Sequence, residues 1–194
     1  MKYYKTPLNE VTRWEILRRS QRESPERYKK KQFYKAYVAK DFENVNFEKL
    51  FTTDTFVWKS IVGDYIVTVS FEGAFQNLYY EVRNWSGVNR YKRITLKMLT
   101  NCLSRALDTE DLYLNCSCDD FKYRFHYWLS QADAVYGVKQ SVAPKVRNVR
   151  NNKGYVCKHL LAVLFGKRWV AAAAKAWYNF IQANPELAEE LIWG

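Results

Sequence analysis

The chain contains few of the residue types that usually carry catalysis or metal chemistry. Among its 194 residues there are only four cysteines, two histidines, seven glycines and four prolines. No apolar run approaches the roughly 20 residues that a membrane-spanning helix requires. The N-terminus, MKYYKTPLNE, also lacks the apolar core of a signal peptide. We therefore expect a protein that is neither secreted nor membrane-bound, in a reducing compartment where closely spaced cysteines bind metals more often than they form disulfides.

Sequence signatures of common enzyme classes are missing as well. The chain has no Gly-x-Ser-x-Gly, no glycine-rich phosphate loop and no His-Glu-x-x-His. Two pairs of adjacent carboxylates are present, Asp119-Asp120 and Glu189-Glu190. Neighbouring positions on a helix or strand do not face each other, so we interpret both pairs as solvated charges. The sequence therefore predicts a protein without enzymatic activity and without a small-molecule substrate.

Aromatic residues and positive charge are, by contrast, abundant. Hydrophobic residues make up 48% of the chain and aromatic residues 17%, which is enough for one well-packed domain, alone or with a small appendage. The many tyrosines and tryptophans suit either an aromatic core or a surface that contacts another macromolecule. The net charge of +11 favours anionic partners, and nucleic acid is the natural candidate.

The residue pattern predicts an α+β fold in which an antiparallel β-meander is flanked by helices. Pro25, capped by Ser24, is expected to open a basic helix that runs through Val38. Strands near residues 55–62, 64–72 and 76–84 are predicted from β-branched and aromatic residues between glycine-containing turns. Further helices are predicted over residues 94–108, 121–128, 157–166 and 167–184, with a short strand that ends at the first cysteine pair.

These elements suggest four regions along the chain. Residues 1–50 form a basic helical region, and residues 51–110 form the β-meander with one helix. Residues 111–167 form a zinc-binding unit with a long insert, and residues 168–194 form C-terminal helices. We expect the last three regions to share one compact unit.

The cysteines and histidines form two matching clusters. Cys116 and Cys118 are separated by one residue, and so are Cys157 and His159. Together they offer three thiolates and one imidazole, the number of ligands that a closed tetrahedral zinc site requires. The alternative is that Cys116 and Cys118 are incidental neighbours and that His159 lies at the surface. A redox site is not indicated, because the chain has no Cys-x-x-Cys.

The remaining cysteine and histidine are weaker candidates. Cys102 lies beside a leucine stripe at helical spacing and is interpreted as a small core residue. His126 stands within the aromatic stretch RFHYW, where packing against aromatics or exposure to solvent explains it better than metal binding.

The pattern Cys116-Ser117-Cys118 followed by Cys157-Lys158-His159 and the apolar stretch LLAVL resembles the SWIM-type zinc finger, C-x-C…C-x-H. The resemblance implies a ββα finger in which Cys116, Cys118, Cys157 and His159 hold one structural Zn²⁺, and a role in binding DNA or protein. The 38 residues between the two pairs exceed the usual spacing of the family. In this elongated form, with DFKYRF after the first pair and an RN…KG…CKHLL approach to the second, the chain is similar to SWIM-like proteins of tailed phages.

Two functions are consistent with these features. The first is a zinc-stabilised structural protein of a tailed-phage-like virion, which contacts other subunits and, through its basic regions, DNA. The second is a DNA-binding regulator or recombination accessory protein. We expect the protein in the virion, or in the host or bacterial cytoplasm. The residues predicted to contact nucleic acid or a partner are Arg18, Arg19, Arg27, Lys29, Lys30, Lys31, Lys145, Arg147, Arg150 and Lys153. Alternatively, the run of basic residues forms the solvated face of a helix and contacts no partner.

Overall fold

The computed structural model of the chain describes residues 11–23, 36–38, 55–88, 94–109, 111–143 and 156–186. The elements are α1 (Arg13–Glu23), β1 (Ala36–Val38), β2 (Thr55–Val62), β3 (Tyr65–Glu72), α2 (Ala74–Val88), α3 (Leu96–Thr109), β4 (Leu112–Cys116), a π-helical turn (Phe121–Phe125), α4 (His126–Gln131), α5 (Lys158–Leu164) and α6 (Lys167–Ala183). The α+β class predicted from the sequence is confirmed. The division into four regions stays a prediction.

The β2–β3 hairpin forms the centre of the sheet. Its strands are rich in β-branched and aromatic residues, which favour extended backbone. The two-residue turn between Val62 and Tyr65 places Gly63 at a φ of 62°, the left-handed conformation that glycine adopts without a steric penalty. Side chains of β3 alternate between the two faces of the sheet, as the sequence predicts. These two strands of the predicted meander are confirmed, with β3 beginning one residue later than expected.

The sheet has four strands in the order β1-β2-β3-β4, and all neighbours are antiparallel. Strand β1 pairs with the end of β2, where Ala36 lies opposite Val62. The helix predicted to continue through Val38 is therefore wrong at Ala36–Val38. The rest of that predicted helix, including Pro25, lies outside the described residues.

The third predicted strand, over residues 76–84, is also wrong, because this segment lies within helix α2. Its tyrosines, valine and tryptophan favour a strand by propensity, but the buried residues Ala74, Leu78 and Val82 are spaced four apart. That spacing places them on one face of a helix. The burial of this face against the core decides the structure, since tertiary packing outweighs weak local propensity.

Helices α3, α5 and α6 lie where the sequence predicts helices, whereas the helix at α1 was not predicted. Thr12 and Thr95 cap α1 and α3, and each accepts a hydrogen bond at 3.2 Å from the backbone N–H three residues later. Helix α3 packs against α2, α6 and α1. Helix α5 is buried from His159 to Leu164 and contacts all four strands, which agrees with its apolar run LLAVL.

Segment 119–131, which follows β4, is helical, as the sequence predicts, but includes a π-helical turn at Phe121–Phe125. Its buried apolar residues, Phe121, Phe125 and Leu129, are spaced four apart and point into the core. Among the described residues, no helix is both long enough and apolar enough to cross a lipid bilayer.

Candidate metal centre

The first cysteine pair lies where β4 ends and the chain turns into a helix. Cys116 is the last residue of β4 and lies opposite Val67 of β3. Both residues are buried, so the Cys116 side chain lies on the core face of the sheet. Along a straight strand, residues two apart are separated by about 6.7 Å. The chain must therefore bend before Cys118 for the two sulfur atoms to reach a common ion.

Cys118 occupies the position that caps the helical segment. Its Sγ accepts a hydrogen bond from the backbone N–H of Phe121 at 3.3 Å, and its carbonyl accepts one from the N–H of Lys122 at 3.1 Å. A side-chain acceptor at this position satisfies an N–H group that the helix leaves without a partner. An N–H···S bond of this kind also stabilises negative charge on the sulfur.

The second pair lies at the start of α5. Cys157 has extended backbone, with φ −71° and ψ 167°, and its carbonyl accepts a hydrogen bond from the N–H of Leu161 at 3.1 Å. His159 follows in the first turn of the helix and is only 4% exposed. Because α5 packs directly on the sheet, its first turn lies close to the end of β4.

The four side chains converge. The ligand atoms of Cys116, Cys118, Cys157 and His159 all lie within 4.8 Å of one another, and all four residues are buried. Cys116 Sγ and His159 Nδ1 are 3.8 Å apart. In a tetrahedral zinc site, bond lengths of about 2.3 Å to sulfur and about 2.0 Å to nitrogen place two sulfurs about 3.8 Å apart and a sulfur and a nitrogen about 3.6 Å apart. The distance between Cys116 Sγ and His159 Nδ1 is close to the second value, and the four side chains are the donor set of a zinc site.

The three thiols strongly affect each other's protonation. Hydrogen bonds from the thiols of Cys116 and Cys157 lower the pKa of Cys118. The hydrogen bond to Cys118 raises the pKa of Cys116 to about 12. Burial, followed by hydrogen bonds to the other two sulfurs, raises the pKa of Cys157 well above its ordinary value. Without a cation, the cluster thus favours ionisation of Cys118 and opposes ionisation of Cys116 and Cys157. A bound divalent cation deprotonates coordinating thiols outright, which makes this cluster suited to a cation.

Two residues beside the cluster were not identified from the sequence. The ring of Tyr65 packs against the imidazole of His159, with ring centroids 4.6 Å apart. Ser117, between the first two cysteines, donates its backbone N–H to the Ile66 carbonyl and accepts the Ile66 N–H with its Oγ, both at 3.0 Å. No local pattern marks Tyr65, because its contact depends on the packing of β3 near α5. The position of Ser117 inside Cys-Ser-Cys is the only signal for it.

Cys102 and His126 lie outside the cluster, as expected. Cys102 is fully buried in α3, and burial raises the pKa of its thiol to about 11. His126 stacks on Phe121 with ring centroids 5.5 Å apart and donates from Nε2 to the Val138 carbonyl at 2.9 Å. Its ring is thus held by an aromatic and a backbone partner, and it contributes no ligand to the cluster.

Two of the predicted basic contact residues lie in α1. Arg18 is exposed and its guanidinium lies 5.2 Å from the centroid of the Trp14 ring, while Arg19 forms an ion pair with Glu15. Neither belongs to the cysteine and histidine cluster. The other predicted contact residues lie outside the described residues: Arg27, Lys29, Lys30, Lys31, Lys145, Arg147, Arg150 and Lys153.

The cluster of Cys116, Cys118, Cys157 and His159 could hold one metal ion, and its composition suits zinc. This assignment rests on the side chains themselves. Comparison with protein-family models, with curated proteins and with solved structures finds no significant match for the chain.

Proposed function

We propose that the protein binds one Zn²⁺ at a closed site and that the ion has a structural role. The observation that carries the proposal is the convergence of four buried donor atoms from two segments separated by 38 residues in sequence. Three cysteines with one histidine are a typical donor set of structural zinc sites. An ion at this position joins the end of β4 to the start of α5, so it links the sheet to the buried helix.

The number of protein ligands favours a structural over a catalytic role. Catalytic zinc keeps one coordination position for water or substrate, whereas four protein ligands fill a tetrahedral shell. All four residues are at most 4% exposed, which leaves little access for a substrate. We therefore propose a non-enzymatic protein, in agreement with the missing catalytic motifs.

The zinc proposal is tested by metal analysis of the purified full-length chain. We expect about one zinc per chain in the wild type. Cys157→Ser should lose the ion, because the serine hydroxyl stays protonated and is a poor zinc ligand. Cys102→Ala is the matched control, since it removes a buried cysteine outside the cluster and should keep the zinc. A folded wild type without zinc after incubation with the metal would contradict the proposal.

We further propose that the site belongs to a SWIM-like finger in a structural protein of a tailed-phage-like particle. The support is the resemblance of the two ligand pairs and the apolar helix behind the second pair. In this proposal the zinc site stabilises the chain, and the remaining surface contacts neighbouring subunits and DNA. Such a protein would be found in the virion, or in the host or bacterial cytoplasm before assembly.

A DNA-binding regulator is the second candidate, and the net charge of +11 favours it. Binding through Lys145, Arg147 and Arg150 would depend mainly on phosphate contacts, so it should weaken steeply with salt. We expect the wild type to be retained on DNA at moderate salt and the triple substitution of these residues to Glu to be released, with affinity reduced at least about tenfold.

The matched control for the DNA experiment replaces three exposed lysines, Lys59, Lys97 and Lys175, by Glu. It changes the net charge by the same amount at other positions. Equal losses of DNA affinity in both triple variants would show that binding depends on net charge and not on Lys145, Arg147 and Arg150 in particular. If neither the wild type nor any variant binds DNA, the regulator is excluded and the structural role is left as the proposal.

A further inference from the structure

Tyr65 lies between the candidate metal centre and solvent. Its ring packs on the imidazole of His159, with centroids 4.6 Å apart and ring planes inclined by 34°. Tyr65 is 38% exposed, whereas His159 is 4% exposed. The tyrosine ring therefore covers a face of the one imidazole in the donor set.

The backbone on both sides of Tyr65 is fixed. Before it, the two-residue turn at Gly63 closes the hairpin, and Tyr65 pairs with Val62. After it, Ile66 forms two hydrogen bonds with Ser117, which lies between the first two cysteine ligands. The first two residues of β3 thus contact both halves of the cluster, Ile66 through Ser117 and Tyr65 through His159. The tyrosine ring has a defined place over the imidazole because its backbone is fixed to the sheet.

This contact restricts the orientation of the imidazole. His159 can serve as a ligand only when a ring nitrogen points towards the sulfur atoms, as Nδ1 does at 3.8 Å from Cys116 Sγ. A ring packed against its face limits rotation about the bond that joins the imidazole to the side chain. Outer-shell groups that orient a metal ligand by hydrogen bonds commonly contribute about 10–100-fold to metal affinity. Ring packing acts on the orientation alone, so we expect an effect at the lower end of this range.

We propose that Tyr65 is a positioning residue for His159, which holds the imidazole in its ligand orientation and limits the access of water and chelators to the ion. This inference rests on the proposed zinc site and adds the residue that controls metal retention. The aromatic ring is the part of Tyr65 that acts, because the contact is between ring faces. The phenol hydroxyl is not needed.

The test measures zinc transfer from the loaded full-length protein to an excess of the chelator 4-(2-pyridylazo)resorcinol. We expect Tyr65→Ala to release zinc about tenfold faster than the wild type. Tyr65→Phe keeps the ring and should release zinc within about twofold of the wild-type rate. Ile61→Ala is the matched control: it truncates an exposed side chain on the other strand of the same hairpin, so it should release zinc at the wild-type rate.

A second readout uses the protein loaded with Co²⁺, whose visible absorption reports the ligands and their geometry. Tyr65→Phe should reproduce the wild-type spectrum. Tyr65→Ala should weaken the ligand-field bands, because the imidazole is less firmly held. A purely structural role of Tyr65 in the hairpin would leave this spectrum unchanged.

The outcomes separate the two proposals. A wild type that binds no zinc would overturn both the zinc site and this inference. A zinc-loaded wild type that releases its ion as fast as Tyr65→Ala would overturn only the role of Tyr65. Equal acceleration by Ile61→Ala and Tyr65→Ala would also overturn it, because the effect would then come from a loosened hairpin.

Discussion

Arg13 is a buried cation that connects three helices. It is 7% exposed, donates from Nε to the carbonyl of Leu164 at the end of α5, and forms an ion pair at 2.8 Å with Asp108 near the end of α3. Burial lowers the pKa of Arg13, and burial raises the pKa of Asp108, while the attraction between the two charges acts in the opposite direction on each. The cost of removing the charges from water therefore offsets much of their attraction.

This balance predicts a marked difference between single and double substitutions. Asp108→Ala leaves the buried guanidinium without its carboxylate and should lower the free energy of unfolding by about 1–3 kcal/mol. The double variant Arg13→Met with Asp108→Ala removes both charges and keeps an apolar side chain of similar length. It should be destabilised by less than the sum of the two single variants, since neither charge is left alone. Urea unfolding midpoints measure both effects.

Additive destabilisation in this double-mutant cycle would contradict the predicted coupling between Arg13 and Asp108. An Asp108→Ala variant with the wild-type midpoint would show that the ion pair contributes nothing to stability. The partly exposed carboxylate of Asp108 keeps the expected effect below that of a fully buried pair.

At the scale of single elements, the sequence predicts best where local spacing and burial agree. The leucines of α3 and the apolar run of α5 identify both helices, because their buried positions recur at helical spacing. The metal ligands were also predicted together, since each pair is a local pattern and the chain has few other cysteines or histidines. Their convergence within 4.8 Å agrees with that prediction.

The prediction was wrong where local propensity and long-range packing disagree. In α2 the aromatic content suggested a strand, although Leu78 and Val82 already had the spacing of a buried helix face. In β1 the three strand residues depend on pairing with β2, which no local pattern reveals. The same limit applies to Tyr65, because its position over His159 depends on how the hairpin packs against α5.

At the scale of the whole molecule, the proposed ion links parts of the chain that are distant in sequence. It would join β4 to α5, and α5 contacts all four strands and α1. Because the unfolded chain has no preformed site, zinc binding contributes directly to folding stability.

Removal of zinc should therefore lower the melting temperature of the protein. When free zinc is present at about 1,000 times its dissociation constant, binding stabilises the folded state by about 4 kcal/mol. For a chain of this size that corresponds to a shift of about 10 °C. Circular dichroism melting curves with and without a strong chelator measure the shift. Cys157→Ser serves as the control because its melting temperature should not respond to the chelator, and an unchanged wild-type curve would contradict a structural role.

The separation of the two ligand pairs has a consequence for chain entropy. An ion that binds Cys118 and Cys157 closes a loop with 38 residues between its ends. The entropic cost of closing a loop grows only with the logarithm of its length, at about 0.6 kcal/mol for each doubling. A long insert is therefore thermodynamically inexpensive. Apart from its core residues, such as Phe121, Phe125 and Leu129, this stretch can gain, lose or exchange residues during evolution while the four ligands at its ends keep the same geometry.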